Sequence, residues 1–507
     1  MFDTLTYFGT GFQNLLTVQN VLLMFLGLVV GITFGAIPGL NSVIAISLCL
    51  PLTFNMNVYS SFILLIALYI GAVSGGLISA ILINVPGTGN SVATCYDGYP
   101  MAMKGQARRA LSIGIIYSCI GTIFGIIILV FAAPWLSEIA LKFSPFDYFG
   151  VLLFSVSLIS VLAGDNMLKG LIVGFIGIFV ATVGVAPIDG FQRFTFGIKS
   201  LSGGFPVLPT IVGSFVITEV IKGAKRLDNS MTEVDYSKEK KSLIGFSGKE
   251  FVQQLKNFFL SCVIGTGIGI LPGIGGNASN LLAYAAVKKT SKYPEKFGTG
   301  IMDGLVASES SNNATIGGAL IPLLTLGIPG DGSTSVLLGA LMIQGLTPGP
   351  TLFNNNPVLM YTIFAAMVLA SIGMVVVETA GIPLFVKMLK VPYYILMPII
   401  LVFCAIGAYS SNNSVFSIWT LFAAGMLGYI LVCGDFPRAP FVLGFVLSST
   451  LEEKFRASMQ MGKNSFIAFF KAPVCAVCIF VTIIMLAAIA AGRARSRKNA
   501  AAAKDGE

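Results

Sequence analysis

Two short stretches combine Pro and Gly with side-chain oxygens inside apolar surroundings, namely "INVPGTGNS" from Ile83 and "LGIPGDGSTS" from Leu326. If each stretch breaks a helix within a bilayer, N–H groups at one new end and carbonyl groups at the other lose their helical partners. The start of the second half-helix then favours a carboxylate. The freed carbonyls, with Asn, Ser and Thr oxygens, favour a hard cation such as Na⁺. The two stretches therefore predict a site for an anion and a cation.

The elements that hold these stretches are expected to cross a membrane. The chain has 507 residues, of which 55% are hydrophobic and 10% charged, and this composition excludes a water-soluble globular protein. Apolar runs of spanning length recur between Val21 and Ile489 without strand-like alternation, so we expect an all-α polytopic membrane protein. Residues 1–20 lack the features of a cleaved signal peptide, and the first apolar segment is expected to be retained.

Several other classes of protein are excluded by residue usage. The sequence has no His, which removes Ser-His and Cys-His nucleophile pairs and the common zinc motifs, so we expect no enzyme. The eight Cys lie in apolar stretches and are interpreted as packing residues. The net charge of +9 comes from Lys and Arg at the ends of apolar segments, where they orient a membrane protein, and does not indicate a nucleic-acid partner.

Three motifs recur in the same order in the two halves of the chain. The first pairs "GITFGAIPGL" from Gly31 with "GTGIGILPGI" from Gly265. The second pairs "GGLISAILINVPGTGNS" from Gly75 with "GALIPLLTLGIPGDGST" from Gly318. The third pairs "PVLPTIVGSFV" from Pro206 with "PRAPFVLGFVL" from Pro437. Many transporters consist of two related halves, and we interpret the matches as an internal repeat.

The basic residues indicate that the two repeats have opposite orientations. In the first half the earliest Lys or Arg is Lys104, after the second motif, whereas the loop around Asn55 after the first motif is uncharged. In the second half the basic cluster near Lys288 follows the first motif, and no Lys or Arg occurs from Phe297 to Val386. Because Lys and Arg favour the cytoplasmic side, the repeats are expected to be inverted in the membrane.

The same distribution distinguishes the first two motifs. The segment from Phe258 to Val287 lies between two basic regions and is too short for two full spans, so it is expected to form a re-entrant hairpin with Pro272–Gly273 at its tip. Its counterpart is Val21 to Phe54. The second motif of each half is expected to cross once, as a helix broken at Pro86–Gly87 or Pro329–Gly330.

These expectations divide the chain into four parts. They are inverted repeat one over residues 1–221, a basic cytoplasmic linker over 222–256, inverted repeat two over 257–460, and a final transmembrane helix with a basic cytoplasmic tail over 461–507.

The candidate site residues lie at these motifs. The residues expected to bind substrate are Pro38, Gly39, Asn84, Pro86, Gly87, Thr88, Gly89, Asn90, Ser91, Gly273, Gly330, Ser333 and Thr334. The residues with side-chain oxygens suited to a cation are Asn84, Asn90, Glu309, Asn312, Asn313 and Asp331. For Asp331 two roles stay open, because an Asp at the start of a half-helix can also serve as its N-cap. Small residues and Ser, Thr or Asn at any one position are equally compatible with ordinary helix packing.

Four long motifs resemble one family. "GAIPGL", "ILINVPGTGNSVATCYDGYPMAMKGQARRAL", "ASESSNNATIGGALIPLLTLGIPGDG" and "GLTPGPTLF" are similar to the large membrane subunit of the tripartite tricarboxylate transporters, and the likeness covers nearly the whole chain. One departure is Asp331, which stands where a small residue is expected after "GIPG".

The resemblance implies a multi-pass symporter of the bacterial inner membrane, driven by a cation gradient. It implies that organic di- or tricarboxylates are delivered by a periplasmic substrate-binding protein, and that a small four-helix membrane subunit is a further partner. It also implies an elevator mechanism, in which the part with the hairpins and broken helices slides against a scaffold. Na⁺ is the expected coupling ion, and no other cofactor is implied.

Two alternatives share part of this pattern. A stand-alone sodium/carboxylate symporter has the same requirements for broken helices, and only the need for a binding protein separates it from the tripartite form. A non-transporting membrane scaffold subunit has no need for inverted, broken helices. Backbone dipoles and small polar groups recognise carboxylates generically, so the sequence leaves the particular carboxylate open.

Overall fold

The computed structural model describes residues 2–162, 167–186, 188–225, 245–273, 275–389 and 393–487. Within these ranges the chain is mainly helical, and the predicted all-α fold is confirmed. Contacts divide the chain into two compact units, each made of two separate stretches. Unit 1 combines Met1–Leu141 with Pro206–Cys433, and unit 2 combines Lys142–Phe205 with Gly434–Glu507.

Unit 1 begins with six helices, and three of them start at side-chain caps. Thr17, Asn41 and Asn57 each accept a hydrogen bond from an N–H of the following first turn. The helices are α1 Phe2–Leu15, α2 Val18–Ala36, α3 Ser42–Cys49, α4 Val58–Ile83, α5 Val92–Met101 and α6 Ala107–Ala140. A π-helical turn over Ala102–Gln106 joins α5 to α6.

The first stretch of unit 2 contains three helices and a small β-ribbon. The helices are α7 Pro145–Leu162, α8 Met167–Ala181 and α9 Lys199–Ser202. Strands β1 Gly184–Val185 and β2 Gln192–Arg193 pair antiparallel, with Gly184 opposite Arg193. This ribbon accounts for the strands found in the described residues.

The second stretch of unit 1 carries the first two repeated motifs of the second half. Its helices are α10 Val207–Val212, α11 Thr218–Lys225, α12 Gly248–Ile270, α13 Gly275–Thr290, α14 Met302–Leu326, α15 Gly332–Ile343, α16 Thr351–Asn355, α17 Pro357–Leu389, α18 Tyr393–Asn412 and α19 Val415–Cys433. α17 begins with Pro357, whose fixed φ and missing N–H suit the first position of a helix.

Unit 2 ends with α20 Ala439–Met461, α21 Ile467–Lys471 and α22 Pro473–Ala487. Arg193 binds both carboxylate oxygens of Glu452 on α20, at 2.8 and 3.1 Å. Arg456, one turn further on, contacts Glu452 at 2.8 Å and Asp189 at 2.6 Å. These ion pairs connect the β-ribbon and its loop to α20.

The boundaries expected around the basic linker differ from the structure. α12 begins at Gly248, so the expected boundary at residue 257 lies within a helix. The reason is a capping box, in which Ser247 and Glu250 satisfy each other's backbone N–H groups. Residues 226–244 of the linker and the expected tail beyond residue 487 lie outside the described residues.

Within the part of the chain that the structure describes, five helical segments are long and apolar enough to cross a membrane. They are Val18–Ala36, Val58–Ile83, Gly89–Ala140, Pro357–Lys387 and Val415–Cys433. Shorter apolar helices accompany them, including α15 and α22. The expectation of a multi-pass membrane protein is therefore confirmed at the level of helix length and composition.

Two tight helix crossings form the centre of unit 1. α2 packs against α4 through Gly27, where a Cβ atom would lie 2.7 Å from the Leu64 carbonyl oxygen. α12 packs against α14 in the same way, since a Cβ at Gly269 would lie 2.7 Å from the Thr315 carbonyl oxygen. Both crossings allow close backbone approach, as small residues do in membrane helices, and they hold α4 and α14 at the centre of the unit.

Candidate functional site

The helix break in the first half, called break 1 (residues 84–91), lies between α4 and α5. α4 ends at Ile83, and Asn84 follows with φ 55 in the left-handed region. Thr88 and Ser91 place their hydroxyl oxygens 3.0 Å apart before α5 begins. The predicted break at Pro86–Gly87 is confirmed.

The corresponding break in the second half, break 2 (residues 327–331), lies between α14 and α15. Gly327 ends α14 with φ 71, and Asp331 starts α15. The Asp331 carboxylate accepts the N–H of Thr334 at 2.8 Å and the hydroxyl of Tyr69 at 2.8 Å. The cap role of Asp331 is confirmed, while its role as a cation ligand stays a prediction.

Each hairpin tip contains the expected Pro–Gly pair between two helices. Tip 1 (residues 37–41) joins α2 to α3, and Gly39 there has φ 90. Tip 2 (residues 271–273) lies between α12 and α13, and Gly273 has φ 83. These values lie in the region that glycine adopts without strain. The helix–turn–helix form of both segments is confirmed.

The helices that follow the tips contact the breaks of the opposite half, and we call these the crosswise contacts. Ser42 at the start of α3 places its Oγ 2.6 Å from the Oγ of Ser333 in α15. Asn280 of α13 donates its amide to the carbonyl oxygen of Asn90 in break 1. Tip 2 also contacts the break of its own half, because the N–H of Gly273 donates to the carbonyl oxygen of Gly330 at 2.7 Å. The structure thus brings tips and breaks from both halves together.

Asn side chains lie close together where α13 contacts break 1. A Cβ atom at Gly89 would lie 2.6 Å from Oδ1 of Asn277, and one at Gly276 would collide with the amide of Asn90 and lie 3.0 Å from Oδ1 of Asn312. Asn90, Asn277 and Asn312 therefore lie close together only because these two positions are glycine. The cluster includes Asn90 and Asn312, both expected as cation ligands.

Glu309 lies fully buried in α14, beside break 1. Its carboxylate accepts hydrogen bonds from three polar groups, the hydroxyls of Thr94 in α5 and Ser118 in α6, the latter at 2.9 Å, and the Asn313 amide at 3.4 Å. No Lys or Arg is buried among the described residues. The carboxylate therefore has donors but no buried cationic side chain, which leaves its charge available to a bound ion.

Several buried oxygens near Glu309 have no hydrogen-bond partner in the described structure. They are Oγ of Ser310, Oγ of Ser311, and Oδ1 of Asn280, Asn312 and Asn313. Buried polar atoms normally have a hydrogen-bond partner. Hydroxyl and amide oxygens of this kind are ligands that hard cations such as Na⁺ or Ca²⁺ bind. Within the described residues, no group of three or more His, Cys, Asp or Glu side chains lies together as a metal cluster.

Some of the residues expected to bind substrate or cation are exposed and do not place their side chains among the buried polar groups. Asn84 is exposed and ends α4, and Pro86 is half-buried beside it. At tip 1, Pro38 is buried and Gly39 is exposed. After break 2, Ser333 and Thr334 in the first turn of α15 are buried, Ser333 in the crosswise contact and Thr334 in the cap of α15.

Sequence reasoning missed two groups of residues. Asn277 and Asn280 follow tip 2 in the run "GGNASN", and Asn41 and Ser42 follow tip 1, so the repeat itself contained this signal. Glu378, fully buried in α17, was also missed. A lone carboxylate in the apolar run "MVVVETAGI" is a signal for function in a membrane protein.

Asp97 of α5 caps the start of α14. Its Oδ1 accepts the N–H groups of Gly298, Gly300 and Ile301 at 2.7 to 3.0 Å, and its Oδ2 accepts the hydroxyl of Tyr284 at 2.8 Å. Asp97 is fully buried and joins segments of both halves.

Polar helix breaks within a multi-pass helical membrane protein are typical of transporters. The chain belongs to the tripartite tricarboxylate transporter TctA family, whose model matches residues 21–443. The resemblance noted from the motifs is thereby confirmed. The family implies a tricarboxylate-transport role, a carboxylate substrate and partner subunits.

Two relatives from Agrobacterium vitis are similar to this chain. One is an uncharacterised 52.8 kDa protein of the TAR-I ttuC′ 3′ region, 36% identical over 481 residues, which cover 95% of each chain. The other is an uncharacterised protein of the TAR-II ttuC′ 3′ region, 37% identical over 227 residues, which cover 43% of this chain and 94% of that protein. No solved structure matches the chain significantly.

Proposed function

We propose that this chain moves organic di- or tricarboxylates through a bacterial inner membrane by symport with a cation, Na⁺ in the first instance. A periplasmic binding protein delivers the carboxylate, and a small four-helix membrane subunit completes the assembly. Membership of the tripartite tricarboxylate transporter TctA family supports the substrate class and the need for partners.

The crosswise contacts are the observation that carries this proposal. Ser42 with Ser333 and Asn280 with Asn90 join the helix after each tip to the region around the break in the other half. This pattern supports two inverted repeats over residues 1–221 and 257–460, because related halves bring their equivalent elements together around an axis. It also supports an elevator mechanism, in which the tips and breaks move as one body against a scaffold.

The anion and the cation use different parts of this region. The substrate carboxylates bind at the backbone of the tips and at the starts of the half-helices, where N–H groups and the positive end of the helix dipole favour negative charge. At the start of α15 the N–H of Thr334 already donates to the Asp331 carboxylate. The other N–H groups of the first turn of α15 therefore bind the substrate. The cation binds at the buried oxygens of Glu309, Asn312 and Asn313.

Reconstitution tests the function. Proteoliposomes containing this chain and its small membrane partner are expected to take up a carboxylate only with the matching binding protein and an inward cation gradient. Thermal-shift screening of the binding protein with di- and tricarboxylates identifies the substrate to use. Uptake without any soluble protein favours the stand-alone symporter, and absence of uptake with all three components favours the non-transporting scaffold.

The cation site is tested by Glu309→Gln. Removing the buried charge is expected to raise the Na⁺ concentration for half-maximal uptake more than about tenfold, which corresponds to about 1.4 kcal/mol. Glu138→Gln is the matched control, because Glu138 lies exposed near the end of α6. If wild type and Glu309→Gln need the same Na⁺ concentration for half-maximal uptake, Glu309 is not a cation ligand.

A further inference from the structure

Glu378 is a second fully buried carboxylate in unit 1, and the proposed site does not use it. Its Oε2 accepts a hydrogen bond from the hydroxyl of Ser74 in α4 at 3.1 Å. Its Oε1 is buried and has no hydrogen-bond partner in the described part of the chain. A buried, ionised carboxylate with one weak hydrogen-bond donor and one unpartnered oxygen is strongly destabilising unless a proton or a cation neutralises its charge.

The groups that face Glu378 supply no positive charge. α4 presents Ser74 and contains no charged residue, and α6, which packs against α17, carries its two Arg residues in its first turn. α2 and α16, which also pack against α17, contain no charged residue. α1 meets α17 through Gly11 at Tyr361, far from Glu378 along the helix.

Lys387 is the basic residue of α17 itself. It lies in the last turn of the helix, about 13 Å along the axis from Glu378 at 1.5 Å per residue. That separation is too long for an ion pair. Glu378 is therefore left without a basic partner in the described structure.

One short connection through α4 links Glu378 to the oxygen cluster around Glu309. In α4, Ser74 donates to Glu378, and the preceding residue, Val73, accepts the amide of Asn312 at 3.4 Å. The unpartnered Oδ1 atoms of Asn312 and Asn313 lie in the same region.

We propose that Glu378 holds a second monovalent cation, so that Na⁺ binds this chain at two sites. In their ionised form the two buried carboxylates carry two negative charges that no buried Lys or Arg of the described residues offsets, and one Na⁺ at each neutralises both. Carboxylate, amide and hydroxyl oxygens are the ligands that a hard cation takes, and Ser74 and the Glu378 Oε1 atom supply them at the second site. The binding step needs no covalent change.

This inference deepens the proposed function, since the second ion then contributes to the driving force for uptake. The function itself is not needed for the first test, which measures equilibrium binding of ²²Na⁺ to the purified full chain. Wild type and the exposed-site control Glu138→Gln are expected to bind about two ions per chain, and Glu378→Gln about one. A wild-type count for folded Glu378→Gln overturns the proposal.

Two further variants keep the test decisive. If Glu378→Gln does not fold, Ser74→Ala removes the hydroxyl that donates to Glu378, and is expected to weaken one of the two ²²Na⁺ sites by about fivefold or more. Unchanged affinities in Ser74→Ala contradict the second site. Glu309→Gln separates the two proposals, because loss of an ion there and not in Glu378→Gln supports the site at Glu309 while it overturns the one at Glu378.

Uptake supplies a second readout. In proteoliposomes with both partners, the Na⁺ dependence of wild type is expected to be sigmoidal and that of Glu378→Gln hyperbolic. A variant that keeps the sigmoidal Na⁺ dependence but loses the pH dependence of uptake indicates that Glu378 holds a proton, which overturns the assignment of a metal ion. Absence of uptake in wild type contradicts the proposed function alone, since the binding experiment is independent of it.

Discussion

The hydroxyl oxygens of Ser42 and Ser333 lie 2.6 Å apart, although 291 positions separate the two residues in the sequence. Ser42 starts the second helix of the first hairpin, and Ser333 lies in the first turn after the break in the other half. Both side chains are buried. The contact therefore fixes how one half meets the other at the proposed substrate site.

This contact predicts a cross-link. In a background without native Cys, Ser42→Cys with Ser333→Cys is expected to form a disulfide on mild oxidation, because side-chain atoms this close satisfy its geometry. A protease site introduced within residues 226–244 allows the disulfide to be detected. After cleavage, the two fragments run as one band on a non-reducing gel and separate when the disulfide is reduced. Ser42→Cys alone and Ser333→Cys alone are the controls, and cleavage into two fragments in the test pair contradicts the crosswise contact.

The inverted orientation predicts a labelling pattern. Single Cys at Lys104 and Lys289 are expected to be shielded from impermeant thiol reagents added outside, and those at Asn55 and Asn355 to react. All four positions are exposed, so burial does not limit labelling. Reaction of Asn55→Cys and Lys289→Cys to the same extent contradicts the inverted repeats.

Asp331→Asn tests the cap against the cation ligand. Asn keeps the oxygen that accepts the Thr334 N–H and caps nearly as well as Asp, so the fold is expected to be retained. If the residue only caps, the Na⁺ titration of uptake superimposes on that of wild type. A half-maximal concentration raised more than about tenfold, or about 1.4 kcal/mol, shows a cation role instead.

Asp97→Ala is expected to destabilise unit 1 by about 3 kcal/mol, because it leaves three part-buried N–H groups and the buried Tyr284 hydroxyl without their acceptor. Tyr284→Phe removes one of these bonds and is expected to cost about 1 kcal/mol. Thermal unfolding of the purified proteins in detergent compares them. Equal midpoints for wild type and Asp97→Ala refute the structural role.

Local features of the fold could be predicted from the sequence because their causes are local. Pro and Gly interrupt helices wherever they occur together, so both breaks and both tips were expected at the right residues. Asp331 followed by Thr334 is likewise a short-range signal for a helix start. The start of α12 was missed because the basic residues before Lys256 were interpreted only as a linker, although Ser247 and Glu250 form a capping box.

Long-range relationships could not be predicted in the same way. The contact of Asn280 with Asn90 joins residues 190 positions apart, and no spacing rule connects them. Glu378 has apolar neighbours and no motif, and its importance depends on Ser74 and Glu309, which belong to other helices. The division into two units was also unexpected, because each unit is assembled from separate stretches of chain.

The interleaved order of the two units has a consequence for biogenesis. Break 1 is synthesised well before Asn280, and at about 5–20 residues per second the ribosome needs about 10–40 s to make the 190 residues between Asn90 and its partner. During that interval the polar atoms of break 1 lack their final neighbours in a nascent membrane protein. The insertion machinery, or the first-made helices themselves, must shelter this segment from lipid until translation of the second half is well advanced.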